Sequence, residues 1–176
     1  MAKIHFITFT ILLLASSGLP AQDTIYRPAT QVDTKGIWNQ ITVQSHNPEM
    51  DLSDPWFSGE QYFWFLPDDG LKVMIVGRAD EERSGISSAE LSMWKAAPTT
   101  MRIEWGPDGK ALLHHPERPP LPVLITYYRE DFSLPEGIHT FSKEDVPQLG
   151  DITITYLDRD NYNPLFFRLL RPYNPE

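Results

Sequence analysis

The sequence predicts an all-β, mainly antiparallel protein: one up-and-down barrel or sandwich of about eight to ten strands. Three observations predict it. Sixteen prolines in 176 residues cut the chain into strand-sized pieces and argue against long helices. Several of those pieces alternate apolar and polar residues, the period of a half-buried strand. Between them stand turn sequences such as Pro67-Asp68-Asp69-Gly70 and Gly106-Pro107-Asp108-Gly109, where proline presets the first turn residue and glycine admits a positive φ.

Residues 1–21 read as a secretory signal peptide: a basic start in Met1 to Lys3, an apolar run from Ile4 to Leu14, and mostly small residues from Ala15 to Ala21. The run is shorter than the roughly 20 residues a membrane helix needs. Residues 22–35 are polar and without period, and read as an N-terminal arm. An antiparallel β domain is expected over 36–172. Its first strand, Gly36 to Ser45, places Ile37, Ile41 and Val43 on one face and Trp38, Gln40, Thr42 and Gln44 on the other. A polar loop, His46 to Gly59, carries Trp56 and Phe57.

Glu60 to Leu66 and Leu71 to Gly77 form a first hairpin, Thr100 to Trp105 and Lys110 to His115 a second, and Asp151 to Leu157 and Pro164 to Arg171 a looser third. Leu121 to Arg129 adds a strand after a proline cluster, and Gly137 to Phe141 a short one. Ser87-Ser88-Ala89-Glu90 has capping-box spacing, which favours a short helix near 88–96 ending before Pro98, over a strand with Leu91 and Met93 inward.

Removing Lys3 with the leader leaves 14 basic against 24 acidic residues, a net charge of −10. No run of three Lys or Arg occurs. Nucleic acid is therefore not an expected partner. The chain has no cysteine, which excludes both disulfide staples and a lipid-modified cysteine. Past the leader no apolar run reaches the length of a membrane span. The expected location is periplasmic or secreted, soluble, and not lipoprotein-anchored.

Chemical motifs are absent: no Gly-x-Ser-x-Gly, no His-Glu-x-x-His, and no phosphate-cradling glycine loop. No catalytic residue, cofactor or metal is expected. His114 and His115 are strand neighbours pointing to opposite faces, so they do not readily share a metal. Asp158-x-Asp160 with Asn161 and Asn163 lacks the glycine and closing glutamate of a calcium loop, and reads as a solvated turn. Carboxylate pairs at Asp68-Asp69, Glu130-Asp131 and Glu144-Asp145, and the triplet Asp80-Glu81-Glu82, read as surface charge; acid–base work needs two carboxylates converging in one cleft. Rings crowd Tyr62-Phe63-Trp64-Phe65, Tyr127-Tyr128 and Phe166-Phe167, so both faces of those strands need cover.

Gly36-Ile37-Trp38 on the first strand, a meander of hairpins, and a closing Leu165-Phe166-Phe167-Arg168-Leu169-Leu170-Arg171 together resemble lipocalin-like barrels. The resemblance implies that the Trp38 indole lies across the closed end of the barrel. It implies too that Arg168 or Arg171 packs over it, a cation–π contact, and that a lipophilic ligand sits inside.

The leading expectation is thus an exported, non-enzymatic binding protein for a small apolar or amphipathic ligand, with Tyr62, Trp64, Trp105 and Tyr127 as the lining rings. A protein-interaction module, such as an inhibitor or assembly subunit contacting its partner through the Trp56-Phe57 or Asp80 to Ser88 loop, is the alternative. An enzyme using loop carboxylates ranks third.

Overall fold

The structure, a computed structural model, describes residues 25–47, 49–52, 57, 59–76, 86–131 and 146–174. The expectations for the leader, Trp56, residues 80–85, the strand at 137–141 and the Glu144-Asp145 pair lie outside the described residues. Within them run nine strands: β1 Tyr26–Pro28, β2 Gly36–Ser45, β3 Glu60–Phe65, β4 Gly70–Val76, β5 Met101–Trp105, β6 Lys110–His115, β7 Arg118–Tyr128, β8 Ile152–Leu157 and β9 Pro164–Pro172. Two short helices accompany them, α1 Gln31–Thr34 and α2 Ser88–Ala96.

The order β7-β6-β5-β4-β3-β2-β9-β8 closes on itself because β8 also pairs with β7, and every pairing is antiparallel. This is a closed eight-stranded barrel with one extra strand. Closure leaves few unpaired edges, the standing hazard of an open sheet. The weakest seam is β4 to β5, where only Gly70 and Leu71 find partners, Arg102 and Met101.

Each hairpin follows from its turn. In the first, Leu66 N–H donates to the Gly70 carbonyl at 2.8 Å. The positive φ expected of glycine belongs there to Asp69, at 63°, a conformation aspartate tolerates. Gly70 is needed for a different reason: a Cβ on it would meet Leu66 Cδ1 at 2.8 Å and Thr99 Cγ2 at 2.9 Å. In the second, Asp108 and Gly109 both have positive φ, 56° and 74°.

Two departures from simple alternation have physical causes. The β2–β9 register shifts between Gln40 and Thr42, a bulge that reverses which side chains face the core. Trp38 before it and Val43 after it therefore both pack in the interior cluster, while Ile37 packs outside with Tyr62; the single apolar face expected for Ile37 and Val43 is not formed. Strand β7 also begins earlier than expected, at Arg118, running through Pro119, Pro120 and Pro122. Those prolines lie before Val123, where pairing with β8 starts. That stretch is an edge with one neighbour, where a missing N–H costs least.

Helix α2 forms where the capping box placed it. Ser87 N–H donates to Glu90 Oε2 at 3.0 Å, and Glu90 N–H donates back to Ser87 Oγ at 3.3 Å. Leu91 and Trp94, three residues apart, are buried, whereas Met93 is 70 % exposed, as helical rather than strand spacing requires. The helix lies on the outside of the barrel over Tyr62, Trp64, Met74 and Val76. Lys72 fixes its end, donating to the carbonyls of Lys95 at 2.7 Å and of Ala97. A cation there meets the negative end of the helix dipole.

The arm is more structured than its polar sequence suggests. After β6 has ended its pairing with β7, β1 takes over the same edge, matching Tyr26 to Tyr128 and Pro28 to Thr126. Arg27 holds it twice, through a paired contact with Asp33 at 2.7 and 2.5 Å and by lying 4.7 Å over the Tyr127 ring. The Arg27 hydrogen bond, outweighing the desolvation that acts against it, and hydrogen bonds from Thr30 bring the Asp33 carboxyl down from 3.8 to about 2. A carboxyl depressed by folding contributes stability that is present above its unfolded pKa and lost as pH falls through the folded one. Between pH 4 and pH 2, amide hydrogen exchange at Tyr26 to Ala29 should therefore quicken ahead of exchange in the barrel, with about 1–2 kcal/mol lost. Arm and barrel protecting their amides equally down to pH 2 would show that the pair does not pin the arm.

Candidate functional site

Inside the barrel the wall alternates large apolar residues. Trp38, Phe63, Phe65, Leu71, Ile103, Val123, Ile125, Ile152, Ile154 and Leu170 form one buried cluster. Eight strands enclose a space that side chains can fill or that can hold one small ligand, and the described side chains of this cluster pack against one another within it. On β9 the inward positions are Phe166, Arg168 and Leu170, so an arginine stands in the core with none of its surface exposed.

Four neighbouring strands and one loop build the chamber around it. Arg168 Nη1 donates to Gln61 Oε1 on β3 at 3.0 Å and to Gln40 Oε1 on β2, and it hydrogen-bonds with the Tyr156 hydroxyl on β8. Its guanidinium carbon lies 5.6 Å from the Phe57 and Phe166 rings and 5.8 Å from those of Phe63 and Tyr156. Tyr156 stacks on Phe166 at 4.3 Å. Phe57, from the β2–β3 loop, meets Phe166 edge-on at 5.1 Å, and its carbonyl accepts from Gln40 Nε2 at 3.1 Å. Burial pushes the Arg168 pKa down, against the pull of Tyr156, and pushes the Tyr156 hydroxyl up. The guanidinium nonetheless stays charged, since its ordinary pKa is far above neutrality.

The four rings expected to line one cavity are divided between two places. Tyr62 and Trp64 face outward beneath α2: Trp64 meets Trp94 at 5.9 Å and lies 5.1 Å from Lys72 Nζ, while Tyr62 meets Tyr173 edge-on at 4.9 Å. Burial, with the Glu60 hydrogen bond, pushes the Tyr62 hydroxyl well above its ordinary range. Trp105 and Tyr127 do pack against the interior cluster, at its end near the arm. The outward rings needed a cover, and α2 supplies it.

Trp38 lies buried at the arm end, its indole N–H donating 2.7 Å to the Thr34 carbonyl of α1, and Gly36 has the positive φ of 116° that brings the chain into β2. Neither arginine stacks on the indole. Arg168 points into the chamber, and Arg171 pairs with the buried Asp151 at 2.9 Å, fixing the turn before β8 to the last strand.

The polar residues singled out earlier serve local structure. His114 Nε2 lies 2.9 Å from Glu104 Oε2, and His115 Nδ1 accepts from Glu117 N–H at 3.1 Å. Asp158 accepts from Asp160 and Asn161 N–H at 2.9 and 3.1 Å, a solvated turn. Asp69 accepts from Gln31 Nε2 at 2.5 Å, and Asp131 from Leu149 N–H at 2.8 Å. Among the described residues no group of three His, Cys, Asp or Glu is placed to hold a metal ion, and no helix is long and apolar enough to cross a membrane.

A second feature is an open groove of about 620 Å³ between residues 28–31 of the arm and strand β5, ending at Asp69 on one side and the Gly106–Gly109 turn on the other. The molecule is thus a closed antiparallel β-barrel with a buried arginine in its interior and an open groove between the arm and β5. Compared with known proteins, the chain matches no family model, no curated protein and no solved structure.

Proposed function

We propose that this chain is an exported, non-enzymatic binding protein of the lipocalin-like kind, whose barrel holds a small amphipathic molecule with an acidic group on Arg168. One observation carries the reading: a guanidinium wholly buried inside the barrel, held by the neutral side chains of Gln40 and Gln61 and ringed by four aromatic faces. Withdrawing such a charge from water costs several kcal/mol, and an apolar side chain would fill the same space without that penalty. A ligand carboxylate or sulfonate would meet the charge with a short, charge-assisted hydrogen bond. Its apolar body would take the place of the Phe57 ring, the element of the chamber that comes from a loop and not from the barrel wall. The leader-like residues 1–21 support export, and the closed barrel supports the lipocalin-like resemblance.

The test uses two dyes with the purified mature protein. Anilinonaphthalene sulfonate, an amphipathic anion, should bind, and Phe57→Ala should tighten it by opening the chamber. Arg168→Met should weaken it at least tenfold while leaving the neutral dye Nile red unchanged. Equal effects of Arg168→Met on both dyes, or no binding of either, would remove the reading. Extraction of protein purified from its own host, followed by negative-ion mass spectrometry, should recover an acidic amphiphile.

A further inference from the structure

The groove beside β5 has features the interior chamber does not explain. Antiparallel strands offer their backbone groups alternately to one neighbour and then the other. Ile103 N–H donates across to the Asp69 carbonyl at 2.7 Å, which sets the side on which the odd residues of β5 are available. Two residues on, β4 has already turned away at Asp69, and β5 pairs with β4 only through Met101 and Arg102. The backbone N–H and C=O of Trp105 therefore face the groove as a short open strand edge. The Trp105 indole N–H is also buried with no hydrogen-bond partner, in a structure class where buried donors are nearly always paired. Around this edge Asp69, Glu104 and Asp108 outnumber Arg102.

We propose that the groove receives a short extended peptide segment of a partner protein, bearing lysine or arginine. Its backbone would continue the sheet beside Trp105, the β-augmentation mode of recognition. Its basic side chain would lie between Glu104 and Asp108, drawn by the charge complementarity that steers association. A groove of this volume suits a few residues and not a whole domain face. Its lining shares no residue with the set around Arg168, so substitutions at the two sites can be read separately.

Nuclear magnetic resonance on the ¹⁵N-labelled mature chain tests this. The probe is a blocked pentapeptide alternating lysine and valine, and the controls are its glutamate counterpart and spermine. The basic peptide should shift the Trp105 backbone and indole N–H signals saturably, and the double variant Glu104→Gln/Asp108→Asn should weaken binding at least tenfold. Added salt should weaken it further. Spermine producing the same shifts would mean simple cation attraction and overturn the proposal. So would equal binding of the acidic peptide, full affinity in the double variant, or an unmoved Trp105 signal at millimolar peptide.

Discussion

Gly109→Ala should destabilise the barrel by about 4 kcal/mol, combining a strained left-handed φ with overpacking. Gly109 has φ +74°, and a Cβ on it would lie 2.4 Å from the Ile125 carbonyl oxygen and 3.3 Å from Ala29 N. That carbonyl accepts from Ala29 N–H at 2.9 Å, and Ile125 N–H donates to the Gly109 carbonyl at 2.8 Å. One methyl group would thus be driven between the β5–β6 turn, strand β7 and the arm, where every neighbour is backbone and cannot rotate away. Gly36 is the control, having φ +116° but nothing within 4 Å of an added Cβ. Gly36→Ala should cost only the conformational strain, about 1–2 kcal/mol. The comparison is read from urea denaturation midpoints, with an unchanged slope confirming that both variants unfold from the same state. Equal losses in the two variants would show that the close approach at Gly109 is relieved by a small shift of the turn. Since small domains have only about 5–15 kcal/mol of stability, Gly109→Ala should also be the harder protein to express.

Much of the barrel was legible because its information is local. Each hairpin was carried by an alternating run and a turn with glycine or aspartate, and α2 by four residues of a capping box. What escaped was set by contacts distant in sequence. The arm reads as polar coil, yet Tyr26 to Pro28 become a strand because β6 ends and leaves the edge of β7 open. The bulge after Gln40 has no signature of its own, so Trp38 and Val43 share the interior against simple alternation. The rings of β3 were seen to occupy both faces. Which face was the interior depended on partners: Phe63 and Phe65 went in, while Tyr62 and Trp64 met a helix more than twenty residues further on.

Arg168 is the instructive case. Its spacing was readable, since Phe166, Arg168 and Leu170 fall in phase and a strand puts all three on one side. Residue type argued the other way, because arginine is almost never fully buried without a partner, and the resemblance to lipocalin-like barrels directed it to Trp38. The structure follows the phase. Gln40 and Gln61, polar residues within otherwise strand-like segments, were the accompanying signal: three polar side chains on neighbouring strands can be buried together only if they satisfy one another.

That arrangement makes the response to substitution at Arg168 diagnostic. Arg168→Ala should cost about 4 kcal/mol, since it opens a cavity among Phe57, Phe63, Tyr156 and Phe166 and leaves the Gln40 and Gln61 carboxamides without their donor. Arg168→Met should stay within about 1 kcal/mol of the parent, or exceed it, because a methionine of similar reach fills the space and no charge is taken from water. The two opposing contributions for methionine are lost hydrogen bonds, about 1–3 kcal/mol for buried acceptors left unpaired, and the relieved burial of a cation, worth several kcal/mol; the second outweighs the first. Thermal and urea unfolding of the three proteins measure the difference. A guanidinium kept to receive an anion predicts a stable methionine variant that no longer holds the anionic dye. A guanidinium that organises the fold predicts that methionine and alanine fail alike, with near-ultraviolet circular dichroism of the buried rings lost in both. That second outcome would leave the chamber a structural device, and a binding function for the barrel interior would lose its support.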